Sequence, residues 1–187
     1  MARLMIININ GWPGVGKLSV VERLRQGIGG RLLDNHTIFN VALSLCEFGT
    51  PEFFEMVRAV RKIAFTAVTN LPLSIPVVLT SAYANTPFGR ENWTAIRDMA
   101  NARASPLCNI VLDCSLDENL RRLQAPGRAA LRKLTDPEPL IRSRQNAELL
   151  ADGGDYLLRC DATELTPEEA ACRIEDWLGN LGLLPNR

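Results

Sequence analysis

The stretch Asn10-Gly11-Trp12-Pro13-Gly14-Val15-Gly16-Lys17-Leu18-Ser19 decides the fold of this 187-residue chain. Gly11 and the pair Gly16-Lys17 have the spacing G-x-x-x-x-G-K, which is typical of a phosphate-binding loop. In such a loop, successive backbone N–H groups surround an anion and the following helix adds its partial positive charge. Only three of the 21 lysine and arginine residues are lysines, so a chance lysine at position 17 is a weak explanation.

The flanks of the loop support this interpretation. Residues 4–9 form a short run rich in isoleucine, which predicts a buried parallel strand. Val20, Val21, Leu24 and Ile28 follow at helical spacing. Strand, glycine loop and helix therefore occur in the order that a phosphate-binding loop requires. The alternative is a glycine turn in front of a surface lysine.

Whole-chain composition narrows the class of protein. The length suits a single domain over residues 1–187, and 21 basic residues balance 21 acidic ones. We therefore expect neither nucleic acid nor membrane as a partner. Five cysteines without a C-x-x-C pair suggest a reducing compartment. The first predicted strand begins almost at once, so we expect no signal peptide. We expect a soluble, cytoplasmic monomer or homodimer.

The remaining pattern alternates strands and helices. Apolar, β-rich runs at 31–33, 75–83, 109–113 and 156–160 predict four further strands. Helical spacing or capping signals at 37–48, 51–69, 85–100, 115–123 and 166–178 predict the intervening helices. Such alternation is typical of a three-layer α/β fold with a parallel sheet.

One departure from the common loop pattern carries a resemblance. Leu18 stands where a serine or threonine usually reaches Mg²⁺, and the hydroxyl comes one residue later, at Ser19. The pattern Gly-x-Pro-Gly-x-Gly-Lys-x-Ser/Thr resembles the loop of adenylate kinase and related nucleoside monophosphate kinases. The chain is also similar to small-molecule kinases of the chloramphenicol phosphotransferase and shikimate kinase type.

This resemblance implies a P-loop kinase fold with strand order 2-3-1-4-5, a helical acceptor-binding region over 37–70 and a short lid over about 121–144. It implies ATP and Mg²⁺ as cofactors, with Ser19 reaching the metal and the loop 161–163 near the adenine. The residues implied in nucleotide binding are Gly11, Gly14, Val15, Gly16, Lys17, Leu18, Ser19 and Arg122.

Asp34 is the candidate general base. It follows the second predicted strand, and in open parallel sheets the ligand crevice lies at the carboxyl ends of the strands. The resemblance implies that an acidic residue here addresses the acceptor hydroxyl. His36 would face the same cleft, and Phe53 with Phe54 could wall an apolar acceptor. The alternative for Asp34 is that it only caps the next helix.

The segment 117–144 has a net charge of +3 in a neutral chain, from seven basic and four acidic residues. Arginine suits phosphate because its guanidinium donates in a planar fork. By the resemblance, Arg144 matches the transition-state arginine and Arg122 sits like the adenine-stacking one, while Arg128 neutralises charge on the transferring group. The alternative is a solvated helix face. The basic residues are Arg121, Arg122, Arg128, Arg132, Lys133, Arg142 and Arg144.

The predicted function is transfer of the γ-phosphate of ATP to a small-molecule hydroxyl acceptor, with Lys17, Asp34, Arg128 and Arg144 as catalytic residues. A nucleoside monophosphate kinase is the alternative, for which Arg58 and Arg61 are available as phosphate contacts. From another class, the chain could be a non-catalytic nucleotide-binding switch. Asp113, which ends the fourth predicted strand, imitates a magnesium-binding aspartate. The capping box that follows starts a new helix and disfavours that interpretation, and the segment resembles the strand that leads into the lid of nucleoside monophosphate kinases.

Overall fold

The structure is a computed structural model that describes residues 5–128 and 133–184. Leu4, at the start of the predicted first strand, lies outside the described residues. The elements are β1 Ile6–Asn10, α1 Lys17–Ile28, β2 Arg31–Leu33, α2 Asn35–Leu45, α3 Pro51–Thr69, β3 Val77–Ser81, α4 Pro87–Ala102, β4 Leu107–Asp113, α5 Leu116–Leu123, α6 Pro137–Asn146, β5 Tyr156–Asp161 and α7 Pro167–Asn180.

The sheet has five strands in the order β2-β3-β1-β4-β5, and every neighbouring pair is parallel. This confirms the predicted fold class and strand order. β1 lies in the middle, with Asn10 in register with Ser81 of β3 and Val111 of β4. The connections of the two strands that flank β1 run to opposite sides of the sheet, and the chain leaves β1 between these strands. Open α/β sheets form their ligand crevice at such a point.

Helices cover both faces of the sheet. On one face, Ile7 and Ile9 of β1 pack in a buried cluster with Leu24 of α1 and Ile174 of α7. On the other face, Ile6 packs with residues of α4 that include Trp93 and Ile96. Burial of these apolar side chains supplies most of the free energy that holds the layers together.

The predicted helix starts agree with the observed caps. The side chains of Thr50, Thr86, Ser115 and Thr166 each accept a hydrogen bond from a backbone N–H in the first turn of the following helix. Each hydroxyl thereby satisfies an amide that has no partner within the helix.

The predicted helix 37–48 is wrong in its bounds, because α2 runs from Asn35 to Leu45. Cys46 adopts an extended conformation and Gly49 has a φ of 86°, so the chain leaves the helix before it reaches Thr50. β3 is shorter than the predicted 75–83, because β1 ends at Asn10, opposite Ser81.

Polar side chains in the middle of the sheet form a buried network that hydrophobic pattern alone does not reveal. Asn8 Nδ2 donates to Asn109 Oδ1 at 2.9 Å, and Ser81 Oγ donates to Asn8 Oδ1 at 2.9 Å. Asn10 accepts from the Tyr83 backbone N–H at 2.8 Å and donates to the Leu150 carbonyl at 3.0 Å. The network joins β1, β3 and β4 just below the glycine loop.

In the part of the chain that the structure describes, no helix is long and apolar enough to cross a membrane.

Candidate functional site

The glycine loop connects β1 to α1 at the carboxyl edge of the sheet. Gly16 precedes α1 with a φ of 102°, a left-handed conformation that side chains other than glycine disfavour. Gly11 approaches the Leu112 carbonyl so closely that a Cβ at this position would clash. Both glycines are therefore required by the path of the loop.

Lys17 extends back over the loop that precedes it. Its Nζ donates to the carbonyl oxygens of Gly11 at 2.5 Å and Trp12 at 2.9 Å. Burial lowers the pKa of Lys17 from 10.5 to about 7, and the carboxylate of Asp34 opposes that shift. A considerable fraction of Lys17 is therefore neutral near pH 7, and an anion in the loop would favour the charged form.

Asp34 occupies the N-cap position of α2, but its side chain makes no capping hydrogen bond. Instead, its Oδ1 accepts a hydrogen bond from the Thr80 hydroxyl, and Thr80 Oγ1 in turn accepts from the Asn35 backbone N–H at 3.1 Å. Asn35 Oδ1 accepts from the Tyr83 hydroxyl at 2.9 Å. The end of β3 thus orients the carboxylate, which lies within electrostatic range of Lys17.

His36 is the second residue of α2, on the same side of the cleft. Burial lowers its pKa, and the charge of Asp34 opposes this shift while Lys133 and Lys17 add to it. Its Nδ1 is buried and makes no hydrogen bond of ordinary geometry within residues 5–128 and 133–184. The side chain of Asn40 also interacts with the ring and raises its pKa.

Arg122 joins the glycine loop to the segment after β5. Its Nε donates to Glu118 at 2.5 Å, Nη1 to the Val15 carbonyl at 3.0 Å and Nη2 to the Ala162 carbonyl at 2.8 Å. These bonds use the edge of the guanidinium, so they leave its planar face for the predicted stacking on a base. That role stays a prediction.

Arg128 and Lys133, from the predicted lid segment, place positive charge near the glycine loop. The guanidinium of Arg128 donates to the Leu134 carbonyl at 3.0 Å, and burial lowers its pKa. Both cations lie close enough to lower the pKa of Lys17. Such a concentration of positive charge suits a polyanionic ligand. Arg132 lies outside the described residues.

Arg144 of α6 is held by protein groups. Its Nη1 donates to Asp113 Oδ1 at 2.8 Å and Asn119 Oδ1 at 3.0 Å, and Nη2 donates to the Cys114 carbonyl at 2.9 Å. The carboxylate of Asp113, the possible magnesium ligand, is thus paired with a guanidinium. A transition-state role for Arg144 stays a prediction and requires at least part of this fork to exchange partners.

Trp12 and Asn119 are site residues that the sequence analysis missed. The Trp12 ring lies 5.9 Å from the Arg144 guanidinium carbon and packs with Leu123 and Leu140. Asn119 Nδ2 donates to the Pro13 carbonyl at 2.8 Å. A large aromatic residue within a glycine loop was the available signal, because such a ring needs apolar partners from another element.

A cleft of about 990 Å³ opens beside the loop. Its walls come from the loop, from α5 and from the segment between β5 and α7. Residues that line it include Gly14, Val15, Gly16, Ser19, Arg122 and Thr163. This volume is sufficient for a nucleotide-sized ligand.

Ser19 is the candidate metal ligand in the loop, and its exposed side chain lines this cleft. Within the described ranges, no cluster of three His, Cys, Asp or Glu residues could hold a metal ion. A hydroxyl beside a phosphate-binding loop fits Mg²⁺ that is bound chiefly through phosphate oxygens and water.

No protein-family model and no curated protein sequence matches the chain. Among solved structures, a candidate kinase from Chloroflexus aurantiacus is 18% identical with a TM-score of 0.69, covering 96% of this chain and 98% of that one. The APS kinase of Mycobacterium tuberculosis, solved with AMPPNP and APS, is 16% identical with a TM-score of 0.60, covering 96% and 99%.

Shikimate kinase from Acinetobacter baumannii, solved with shikimate, is 18% identical with a TM-score of 0.56, covering 97% of each chain. Likeness at these identities establishes the fold, which is that of the P-loop kinases.

Proposed function

We propose that this chain, which has the P-loop kinase fold, transfers the γ-phosphate of ATP to a hydroxyl group of a small molecule. The observation that supports this most is the meeting of two groups at one edge of the sheet. The ammonium of Lys17 belongs to the phosphate-binding loop, and the carboxylate of Asp34 lies within electrostatic range of it. Phosphate binding and acceptor activation are therefore available at one place.

The chain's own groups divide the work of the reaction. Lys17 and the loop amides bind the β- and γ-phosphates, and Arg128 and Lys133 neutralise charge on the phosphoryl group as it moves. Asp34 accepts the proton of the acceptor hydroxyl as its oxygen bonds to the γ-phosphorus and the bond to ADP breaks. Thr80 holds Asp34 in place for this step. Mg²⁺, bound near Ser19, would neutralise phosphate charge and orient the terminal groups.

The nucleotide site is tested with Lys17→Ala. Because Lys17 supplies the cation for the terminal phosphates, the variant should lose the rise in melting temperature that ATP with Mg²⁺ gives the wild type. Unchanged ATP affinity in the variant would contradict the assignment of the loop.

The catalytic proposal requires ADP release that depends on an acceptor, measured over nucleosides, antibiotics, shikimate-like acids and sugars. ATP binding without turnover for any acceptor would favour the non-catalytic switch.

Asp34→Asn separates the two kinase hypotheses. A hydroxyl is a poor nucleophile at neutral pH and gains roughly 10² to 10⁴-fold from a positioned base, whereas a nucleotide phosphate oxygen is already anionic. Under our proposal the variant keeps its ATP affinity and loses most acceptor-dependent ADP formation. Near wild-type turnover of a nucleoside monophosphate by the variant would instead support a nucleoside monophosphate kinase.

A further inference from the structure

Two arginines of α3 share one carboxylate of α4. Arg58 Nε and Nη2 donate to the two oxygens of Glu91 at 2.8 and 3.0 Å, and Arg61 Nη2 donates to Glu91 Oε1 at 3.1 Å. Arg61 also donates to Asn92 Oδ1. The hydrogen bonds from Arg58 lower the pKa of Glu91, which is therefore ionised at neutral pH. Each guanidinium is thus engaged by a protein anion.

This cluster adjoins the acceptor side of the candidate site. Burial raises the pKa of Tyr83, and the charge of Arg61 opposes that shift, so the guanidinium lies within electrostatic range of the phenol. The same hydroxyl donates to Asn35, which follows Asp34 in the chain. Hydrogen bonds and one electrostatic interaction, that of Arg61 with Tyr83, therefore link Glu91 to the neighbourhood of the candidate base.

Aromatic rings lie beside the ion pairs. Phe88 precedes Glu91 by one turn of α4, and Phe54 precedes Arg58 by one turn of α3. The centroids of these two rings are 5.0 Å apart, and Phe39 of α2 lies 6.3 Å from Phe88. The helices next to Asp34 thus offer apolar surface to an acceptor.

Two further polar side chains on this side, besides Asp34, are neutral. His36 Nδ1 and Asn40 Oδ1 lie one turn apart on α2, on the same face as Phe39. Both atoms are buried. The side chains of His36 and Asn40 interact with each other, which raises the pKa of His36, but their geometry is too poor for an ordinary hydrogen bond. A ligand hydroxyl could supply the missing hydrogen bonds.

We propose that the acceptor is an uncharged alcohol with an apolar body, and that Glu91 determines this by occupying the hydrogen-bond donors with which Arg58 and Arg61 would otherwise bind an anion. An anionic acceptor could bind these arginines only by displacing Glu91, which would leave a carboxylate without its partners. The proposal rests on the proposed function and specifies its acceptor class. Lys17, Arg128 and Lys133 remain available for the phosphates.

The test uses Glu91→Gln, which keeps the size of the side chain and removes its charge. Benzyl alcohol and 4-(hydroxymethyl)benzoate serve as probes, because they share a ring and a hydroxyl and differ in one carboxylate. We expect wild type to favour benzyl alcohol in kcat/KM for ADP formation. The variant should shift the ratio toward the carboxylate by roughly 10 to 100-fold, the value of one charged hydrogen bond.

Glu168→Gln is the matched control. It removes another partly exposed ion pair, Arg23–Glu168 at 2.7 Å between α1 and α7. We expect this control to retain the wild-type ratio. A wild-type preference for the carboxylated probe, or an unchanged ratio in Glu91→Gln, would overturn the proposal.

A binding measurement makes the outcome independent of turnover. With AMPPNP on the phosphate loop, inorganic phosphate should raise the melting temperature of Glu91→Gln and leave that of wild type and Glu168→Gln unchanged. Adding Arg61→Ala to Glu91→Gln should abolish the rise. No phosphate response in Glu91→Gln overturns the proposal even if the chain is a kinase. Failure of the proposed function has a different signature, namely no acceptor-dependent ADP release while the phosphate response persists.

Discussion

Lys17 is the residue at which protonation and ligand binding are coupled. Burial holds its pKa at about 7 in the free protein, and a triphosphate in the loop would raise it. At a pH between the pKa of Lys17 in the free protein and its pKa in the complex, ATP binding takes up a proton. The affinity for ATP therefore falls as pH rises. An unperturbed lysine stays charged throughout this range and would give no such dependence on pH.

We therefore predict that ATP binding at pH 8 takes up close to one proton and that the apparent Kd rises about tenfold from pH 8 to pH 9. The terminal phosphate of ATP titrates at about pH 6, so it contributes little to proton uptake between pH 8 and pH 9. Calorimetry in buffers of different ionisation enthalpy measures the uptake. Binding without proton uptake would show that Lys17 is already charged in the free protein.

Thr80 is the second residue with a separable role, because its hydroxyl donates to Asp34. Thr80→Val keeps the shape and removes the donor. We predict a kcat lower by about tenfold, the value of one lost hydrogen bond, with ATP affinity unchanged. Thr80→Ser should restore the rate. A loss of rate that serine does not restore would indicate that packing, and not the hydrogen bond, matters at this position.

Among the elements, α6 packs against the loop through Trp12. Leu140 packs with Trp12, and Arg144 pairs with Asp113 at the end of β4. Since the Arg144 side chain is only 18% exposed and also donates to Asn119 and the Cys114 carbonyl, its loss should cost stability by about 1 to 3 kcal/mol. A melting curve of the Arg144 variant therefore accompanies its kinetics, so that an effect on turnover is separated from unfolding.

We predict that Arg144→Ala lowers kcat by roughly 10³-fold, as removal of a transition-state arginine does, while ATP affinity changes little. Arg142→Ala is the control, because Arg142 lies on the exposed side of the same helix and pairs with Glu138. Steady-state rates and ATP titrations of both variants decide the point. Equal turnover in Arg144→Ala and Arg142→Ala would show that Arg144 only holds α6 in place and has no catalytic role.

For the molecule as a whole, the buried asparagines test how the halves of the sheet are joined. Asn8 of β1 and Asn109 of β4 bond each other where the two sides of the sheet meet. We predict that Asn109→Ala costs about 1 to 3 kcal/mol of unfolding free energy, because it leaves a buried amide of Asn8 without its acceptor.

The double variant Asn8→Ala/Asn109→Ala should cost less than the sum of the single variants, because each substitution removes the same hydrogen bond. Urea unfolding of the four proteins measures the coupling. Additive losses would show that the hydrogen bond contributes nothing specific and that the two sites act separately.

Local sequence determined much of this protein. The glycine spacing around Lys17 predicts a phosphate-binding loop, and alternating apolar runs predict the α/β class, because periodicity reports which residues are buried. The caps at Thr50, Thr86, Ser115 and Thr166 follow from hydrogen bonds within four residues. Strand order came from the resemblance, since periodicity alone carries no information on which strands are neighbours.

Only the tertiary structure decided which partners the charged side chains meet. Asp34 could have capped α2, but its carboxylate instead accepts a hydrogen bond from the hydroxyl of Thr80, 46 residues away. Arg58 and Arg61 were available for a phosphate, but both donate to Glu91 of another helix. Arg144 was predicted in a lid, and it pairs with Asp113 of β4. Such pairings depend on distances between elements, which the packing of the layers sets and which no local pattern encodes.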